Sequence, residues 1–188
     1  MTRIAIPDEY SDSPVGSVLA HYAPAIAAAS RAYSQAVYQH SSLPFRIIEG
    51  ARIRTAQING CQTCQSFRAA RDLPASIERA GGDVQASFLG RGDAVPDDAF
   101  YDAVADWRTA SAFDERERLA IELAERMGLS PQSFEEDDAF WARMKAHFTD
   151  AEIVDLVMSV SCWIGAGRAL HVLEIDPRIC AIPELAAG

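Results

Sequence analysis

Two cysteines three positions apart, Cys61 and Cys64, are the residues of this chain best suited to chemistry. They follow Asn59-Gly60 and stand at the start of a stretch, residues 65–71, whose composition favours a helix. The N-terminus of a helix presents unpaired N–H groups and the positive end of the helix dipole, and both stabilise a thiolate relative to a thiol. The spacing therefore predicts a reactive pair at the start of a helix.

Metal and haem chemistry fit this pair less well than redox chemistry does. A structural zinc site needs four ligands, and covalent haem attachment needs a histidine directly after the second cysteine, where this chain has Gln65. A thioredoxin-like motif needs a βαβ setting, which the sequence lacks. An inert buried pair stays open as an alternative. We predict no metal and no cofactor, because the other cysteines and the histidines are scattered: Cys162, Cys180, His21, His40, His147 and His171.

The elements around the pair are predicted to be helices. Apolar residues recur at helical spacing along nearly the whole chain, and period-2 alternation is almost absent, so we expect an all-α fold. The 188 residues, 49% of them apolar, suffice for one core, so we expect a single domain over residues 1–188. Its expected parts are N-terminal helices over 14–40, the CxxC region over 44–80, a glycine-rich loop over 81–96 and C-terminal helices over 97–176.

Several helix boundaries can be placed from local signals. Asn59-Gly60 predicts the end of a helix that begins near residue 45, because both residues accept the left-handed conformation of a C-cap. The segment from Thr149 to Glu152 is a capping box that predicts the start of the last long helix, which Pro177 would end. Further helices are expected over 97–109, 114–127 and 133–148. Two glycines at 165 and 167 inside the last helix cost about 2 kcal/mol relative to alanines, which predicts close packing against another backbone.

Charge and hydropathy restrict the expected partners and location. The formal net charge of −10 argues against a nucleic-acid or anionic-membrane partner, because the mean field of the surface would repel either one. The sequence has no uninterrupted run of 18 apolar residues, and its first residues lack the charge order of a signal peptide. We therefore expect a cytoplasmic protein with no membrane partner.

A family resemblance rests on Glu49 and on the segment Asn59-Gly60-Cys61-Gln62-Thr63-Cys64. Glu49 stands twelve residues before Cys61, and this arrangement resembles the signature of the AhpD-like (alkylhydroperoxidase D, carboxymuconolactone decarboxylase) superfamily. The segment 148–156 also resembles the C-terminal helix of that family, so the likeness covers about residues 44–71 and 148–170. The resemblance implies an AhpD-like helical bundle that forms a homo-oligomer, either a trimer or a hexamer.

The resemblance also implies a thiol-dependent activity with assigned roles. Cys64 would attack a hydroperoxide oxygen or a disulfide sulfur, and Cys61 would resolve the product to an internal disulfide and contact a partner's disulfide. Glu49 would manage the proton, and a thiol-donating protein or small thiol would reduce the pair again. Two other function classes stay open. One is a cofactor-free enzyme like carboxymuconolactone decarboxylase, and the other is a non-catalytic helical oligomer.

Glu49 itself has a simpler interpretation as a surface residue that pairs with Arg46 or Arg52. Geometry adds a constraint, because the ten residues from Glu49 to Asn59 span about 15 Å of helix. A plain antiparallel hairpin would leave Glu49 far from Cys64. Only a crossing of the two helices, or a bend in the first one, would bring the two residues together.

Arg68 marks a departure from the family pattern, which has a proton-relaying histidine four residues after the second cysteine. Some members also have a histidine where this chain has Thr63. Arginine stays protonated and cannot relay a proton as imidazole does. If 65–71 is helical, Arg68 shares a helix face with Cys64 and could hold a thiolate. His171 could replace the missing relay, although a partly buried helix-end histidine near Glu174 is the simpler interpretation and the one we favour.

This substitution predicts a thiolate that forms easily but is poorly supplied with protons, which favours disulfide exchange over fast peroxide turnover. Replacing Arg68 by alanine should raise the Cys64 thiol pKa, because a neighbouring positive charge is lost. The rate of thiol alkylation as a function of pH measures that pKa in both proteins. An unchanged pKa in the variant would contradict the prediction.

Overall fold

The chain is described by a computed structural model, which covers residues 2–11, 15–79 and 81–175. These residues form α-helices joined by turns and short 3-10 segments, with no strand among them, so the predicted all-α fold is confirmed. The division of the chain into one domain with four parts stays a prediction. The helices are α1 Val15–Tyr22, α2 Pro24–His40, α3 Phe45–Asn59, α4 Gln62–Ser66, α5 Ala69–Arg79, α6 Asp98–Ala103, α7 Glu115–Leu129, α8 Asp138–His147 and α9 Asp150–Val172.

Two predicted helices are shorter than expected. The helix predicted over 97–109 is α6, which ends at Ala103 and continues as a 3-10 turn, Val104–Asp106. The helix predicted over 133–148 begins only at Asp138, because the side chain of Asp137 accepts a hydrogen bond from the N–H of Phe140 and caps the helix there. The predicted helix start at residue 14 and the predictions that involve Pro177 and Cys180 fall outside the described residues.

Helix α3 is the centre of the fold. It packs against α7 on one side and α9 on another, and eleven of its fifteen residues are buried. A helix that is buried on most faces has to place its polar side chains in the interior, so each of them needs a partner there. Helix α3 is also the element that carries Glu49 and leads directly into the cysteine pair. A second, smaller cluster of buried side chains lies under α6: Ile53, Phe100, Tyr101, Val104, Trp107, Phe113 and Ile121.

The turn between α3 and α4 forms as the sequence predicts. Gly60 adopts a left-handed conformation, with φ of 65°, and its N–H donates to the carbonyls of Ala56 and Gln57. A side chain at this position would be strained by the backbone angle and would also meet the ring of His171, since a Cβ there would lie 3.1 Å from its Nδ1. His171, an exposed residue of α9, therefore lies over the turn that precedes Cys61.

Helix α9 begins at the predicted capping box. The hydroxyl of Thr149 accepts from the N–H of Glu152 at 3.2 Å, and the carboxylate of Glu152 accepts from the N–H of Thr149 at 2.9 Å. By length and composition α9 could also cross a membrane. An 18-residue stretch of this helix has a mean hydropathy of 1.4, and 33% of that stretch is buried inside the structure. Core helices of globular proteins meet the same criterion, and α9 packs against α2, α3 and α7. The absence of a membrane partner stays a prediction.

Only one of the two glycines of α9 is explained by packing in the described part of the chain. A Cβ on Gly167 would lie 2.5 Å from Nδ2 and 3.2 Å from Cγ of Asn59, whereas a Cβ on Gly165 would meet nothing within 4 Å. Asn59 is held in place because its Nδ2 donates to the carbonyl of Trp163 at 3.0 Å. The predicted close approach is thus real at Gly167, but it is made to a side chain of α3.

We predict opposite effects from two matched substitutions in α9. Gly167→Ala should destabilise the protein by about 1–3 kcal/mol, because the added methyl group displaces the buried side chain of Asn59. Gly165→Ala should stabilise it by up to about 1 kcal/mol, because alanine favours the helix and meets open space. Urea denaturation measures both free energies of unfolding. Equal effects of the two substitutions would contradict the packing described here.

Candidate active site

Cys61 and Cys64 form a disulfide at the start of α4, with their Cα atoms 5.3 Å apart. Cys61 is the N-cap residue of the helix, and its sulfur accepts from the N–H of Cys64 at 3.3 Å. This arrangement confirms the prediction that the pair begins a helix. Cys61 is only 5% exposed, whereas Cys64 is half-buried, so a reactant reaches Cys64 more easily than Cys61. Cys162, the other described cysteine, is buried and unpaired.

The helix predicted over 65–71 is interrupted, and this part of the prediction is wrong. Helix α4 ends at Ser66 because Phe67 adopts an extended conformation, with φ of −67° and ψ of 134°, and α5 begins at Ala69. The chain turns here because two carboxylates accept its free N–H groups. Asp72 accepts from the N–H of Arg68 at 2.8 Å, and Glu49 accepts from the N–H of Ala69 at 3.3 Å.

Arg68 consequently does not share a helix face with Cys64. Its guanidinium lies over the ring of Tyr101, 4.0 Å from the ring centre, and its NH1 donates to the carbonyl of Gln65 at 2.6 Å. Asp98 lies 3.8 Å from its Nε. The geometric basis for a direct Arg68–thiolate contact is therefore absent, and an electrostatic effect on Cys64 stays a prediction that the Arg68→Ala measurement tests.

Glu49 lies in the interior, so the interpretation as a surface residue is wrong, although the expected pairing with Arg52 is present. Its side chain is 0% exposed. One carboxylate oxygen accepts from Nε of Arg52 at 2.5 Å, and the other accepts from NH2 of Arg52 at 2.9 Å and from the hydroxyl of Tyr101 at 2.5 Å. With the N–H of Ala69 as a further donor, the buried charge is fully partnered.

Arg52 connects this buried carboxylate to the cysteine helix. Its NH1 donates to the carbonyl of Cys64 and its NH2 donates to the carbonyl of Phe67, both at 2.8 Å. These carbonyls belong to the end of α4, which is too short to satisfy its own polar groups. Glu49 itself makes no hydrogen bond to either cysteine among the described residues. The structure thus relates Glu49 to the pair through the side chain of Arg52.

Sequence reasoning did not identify Arg52 and Tyr101 as site residues. Arg52 has a recognisable signal, because it stands three residues after Glu49 on the same helix face. Tyr101 has none, because 52 residues separate it from Glu49. Burial opposes the charge of Arg52, but the attraction and hydrogen bonds of Glu49 outweigh it and raise the pKa of Arg52. Burial and the charge of Glu49 likewise raise the pKa of Tyr101, so its hydroxyl stays a donor.

A cavity of about 190 Å³ opens beside Cys64, between α2, α3, α4 and α9. Most of its wall is aromatic or aliphatic, and the only formal charge among the lining residues, that of Arg52, is neutralised by Glu49. An engineered apolar cavity of about 150 Å³ holds benzene, so this one accepts a group the size of an aromatic ring. The lining residues are Ser34, Tyr38, Arg52, Ala56, Asn59, Thr63, Cys64, Phe67, Trp163, Ala166 and Gly167.

No cluster of three or more His, Cys, Asp or Glu residues in the described ranges is arranged to hold a metal ion. The chemistry that the site offers is that of the two sulfurs, supported by a buried ion pair on one side and an uncharged cavity on the other.

Comparisons with known proteins agree with this fold. Over 94% of its length, the chain superimposes on 97% of a crystal structure from Agrobacterium tumefaciens with a TM-score of 0.64 and 21% identity. That protein, ATU0492, is of unknown function, and its description suggests an antioxidant defence protein AhpD. The likeness shows that the two proteins share a fold, and that fold agrees with the helical bundle expected from the sequence.

A sequence relative covers a smaller part of the chain. Over 83 residues the chain is 35% identical to the uncharacterized protein YnjA of Escherichia coli (strain K12), a match that spans 44% of each chain. The chain therefore matches less than half the length of this relative. No family model matches the chain.

The buried ion pair predicts that replacing one partner lowers the free energy of unfolding more than replacing both partners. Arg52→Met should lower the free energy of unfolding by about 3–5 kcal/mol, because it leaves the carboxylate of Glu49 buried without its cation. The double variant Glu49→Leu, Arg52→Met should recover much of that loss, because no charge stays buried. Chemical denaturation of the three proteins tests this. A double variant less stable than Arg52→Met would contradict it.

Proposed function

We propose that this protein is a thiol-dependent oxidoreductase whose Cys61 and Cys64 alternate between a dithiol and a disulfide. The observation that carries the proposal is the disulfide-bonded pair at the start of α4, whose second cysteine, Cys64, lies in the wall of a cavity. This cavity can hold the organic part of a hydroperoxide or of a disulfide while its reactive end meets Cys64.

In the proposed cycle the thiolate of Cys64 attacks the substrate first, because Cys64 is the more exposed of the two residues. Attack on a hydroperoxide gives a sulfenic acid and an alcohol, and attack on a disulfide gives a mixed disulfide and a thiol. Cys61 then displaces the hydroxyl or thiol group and closes the internal disulfide. A thiol-donating protein or small thiol returns two electrons to the pair. Because Cys61 is 5% exposed, we propose that this reductant also enters through Cys64.

Glu49 and Arg52 support this cycle by positioning rather than by moving protons. The carboxylate of Glu49 accepts four hydrogen bonds and makes none to either cysteine among the described residues, so its position favours holding Arg52 over taking a proton from a thiol. Its role is to keep Arg52 charged and fixed, and Arg52 in turn holds the carbonyl of Cys64. The proposed consequence is that α4 keeps its place when the disulfide opens.

We propose that the protein forms a homo-oligomer, as the family resemblance implies. Helices α2 and α9 leave large apolar side chains in contact with solvent, among them Ile26, which is 75% exposed, and Val154, Met158 and Val172. Exposed apolar patches of this kind are typical of surfaces that bind another protein. The trimer or hexamer and the cytoplasmic location are proposals that rest on the sequence.

The redox cycle predicts a fixed pattern of thiol loss. The fully reduced protein has four thiols, and a limiting amount of hydroperoxide or of a small disulfide should remove two of them together. Cys64→Ser should lose this reactivity, whereas Cys61→Ser should still react once and then stop at a sulfenic acid or mixed disulfide. Mass spectrometry after alkylation counts the thiols and identifies each product.

Four thiols that stay unreactive in the unaltered protein would refute the proposed function and favour the decarboxylase-like or non-catalytic alternatives. Equal reactivity of the two serine variants would contradict the separate roles of Cys64 and Cys61.

A further inference from the structure

The site described above has positive charges near the cysteines but no evident donor for the proton that a peroxide reaction requires. Arg68, in the place of the family histidine, has its guanidinium over Tyr101 and bonded to the carbonyl of Gln65. Arg52 is engaged by Glu49 and by two carbonyls. The carboxylate of Glu49 only accepts hydrogen bonds. A donor supplied by the protein would therefore come from another part of the cavity wall.

Tyr38 meets this requirement by its position. It lies on α2, across the cavity from α4, and it lines the same cavity as Cys64. Its ring is held among three aromatic side chains, with its centre 6.3 Å from that of Phe67, 6.3 Å from that of Phe88 and 6.4 Å from that of Trp163. The ring is therefore fixed by packing alone, so the hydroxyl is oriented although it donates no hydrogen bond.

The hydroxyl of Tyr38 donates no hydrogen bond to another residue in the described part of the chain. The indole N–H of Trp163 acts on this phenol as a hydrogen-bond donor and is the smallest of the influences on its pKa, which it lowers. The contact falls short of hydrogen-bond geometry, and a donor there would use the oxygen of the Tyr38 hydroxyl and leave its proton free. The hydroxyls of two other tyrosines near the site already donate hydrogen bonds, that of Tyr33 to the carbonyl of Met158 at 2.6 Å and that of Tyr101 to Glu49. Tyr38 is the tyrosine that can donate to a molecule in the cavity.

We propose that Tyr38 is a catalytic residue that donates its proton to the alkoxide leaving group when the thiolate of Cys64 attacks a hydroperoxide held in this cavity. The inference rests on the proposed function and names the acid in one of its two reactions. The S–O bond forms as the O–O bond breaks, so that sulfur is oxidised to the sulfenic acid and the peroxide is reduced. The alkoxide takes the proton of Tyr38 and leaves as the alcohol. The phenolate then takes up the proton that ionisation of the Cys64 thiol released to solvent.

The acidity of Tyr38 suits this step and not disulfide exchange. Burial is the main cause that raises its pKa to about 12, so the hydroxyl holds its proton at neutral pH. An alkoxide is about as basic as hydroxide, whose conjugate acid has a pKa of about 15.7, and can therefore take this proton. A leaving thiolate, whose conjugate acid has a pKa of about 8.5, is too weak a base to do so and needs no acid. Tyr38 should thus assist peroxide reduction selectively.

The test compares two substrates and two variants that each lose one hydroxyl group. Reduced protein is mixed with cumene hydroperoxide or with bis(2-hydroxyethyl) disulfide, both uncharged, and the first reaction of Cys64 is followed in a single turnover by alkylation and mass spectrometry. Tyr38→Phe keeps the ring and its packing. Tyr33→Phe, on the same helix, removes a hydroxyl group whose hydrogen bond is to the backbone of α9. The melting temperature of each variant checks that the fold is retained.

We expect Tyr38→Phe to slow the peroxide reaction on the order of 100-fold, the effect of losing a general acid, and to change the disulfide reaction less than twofold. Tyr33→Phe should leave both rates unchanged. An unchanged peroxide rate in Tyr38→Phe, or an equal loss of both rates, would overturn the proposal. If the unaltered protein reacts with the disulfide but not with the hydroperoxide, the role of Tyr38 is refuted and the proposed function stands. If it reacts with neither, both fail.

Discussion

The buried ion pair between Glu49 and Arg52 is the interaction on which the rest of the site depends. A carboxylate that is 0% exposed is stable only when its charge is balanced and its oxygens are hydrogen-bonded. Arg52 balances the charge, and the remaining donors come from Tyr101 and from the N–H of Ala69. One carboxylate therefore fixes where α6 approaches α3 and where α5 begins, and through Arg52 it fixes the end of the cysteine helix.

The cysteine helix needs this support because it is short. Five residues cannot satisfy their own terminal carbonyls, and α4 ends against the guanidinium of Arg52 instead of continuing into α5. Helix α9 completes the site from the other side, since Gly167 lets Asn59 approach and His171 covers the corner at Gly60. The cavity beside Cys64 is the space that these constraints leave open, and α2 closes it with Tyr38.

Local signals predicted those features that depend on neighbouring residues. The left-handed cap at Gly60, the capping box at Thr149 and the start of a helix at Cys61 were all predictable, because each involves contacts within about four residues. The break at Phe67 was not, since residues 65–71 favour a helix by composition. It is caused by Asp72 and by Glu49, and Glu49 acts from twenty residues away in sequence. The environment of Arg68 was mispredicted for the same reason.

The sequence by itself determined that the chain is helical and that a cysteine pair, preceded by Glu49 at family spacing, starts one of the helices. Periodicity and capping depend on short-range geometry, which residue types specify directly. The tertiary structure decided that Glu49 is buried and bonded to Tyr101, that Arg52 rather than Arg68 contacts the cysteine helix, and that Tyr38 shares a cavity with Cys64. Burial and the pairing of distant polar groups depend on how α2, α3, α6 and α9 pack, and no local pattern encodes those contacts.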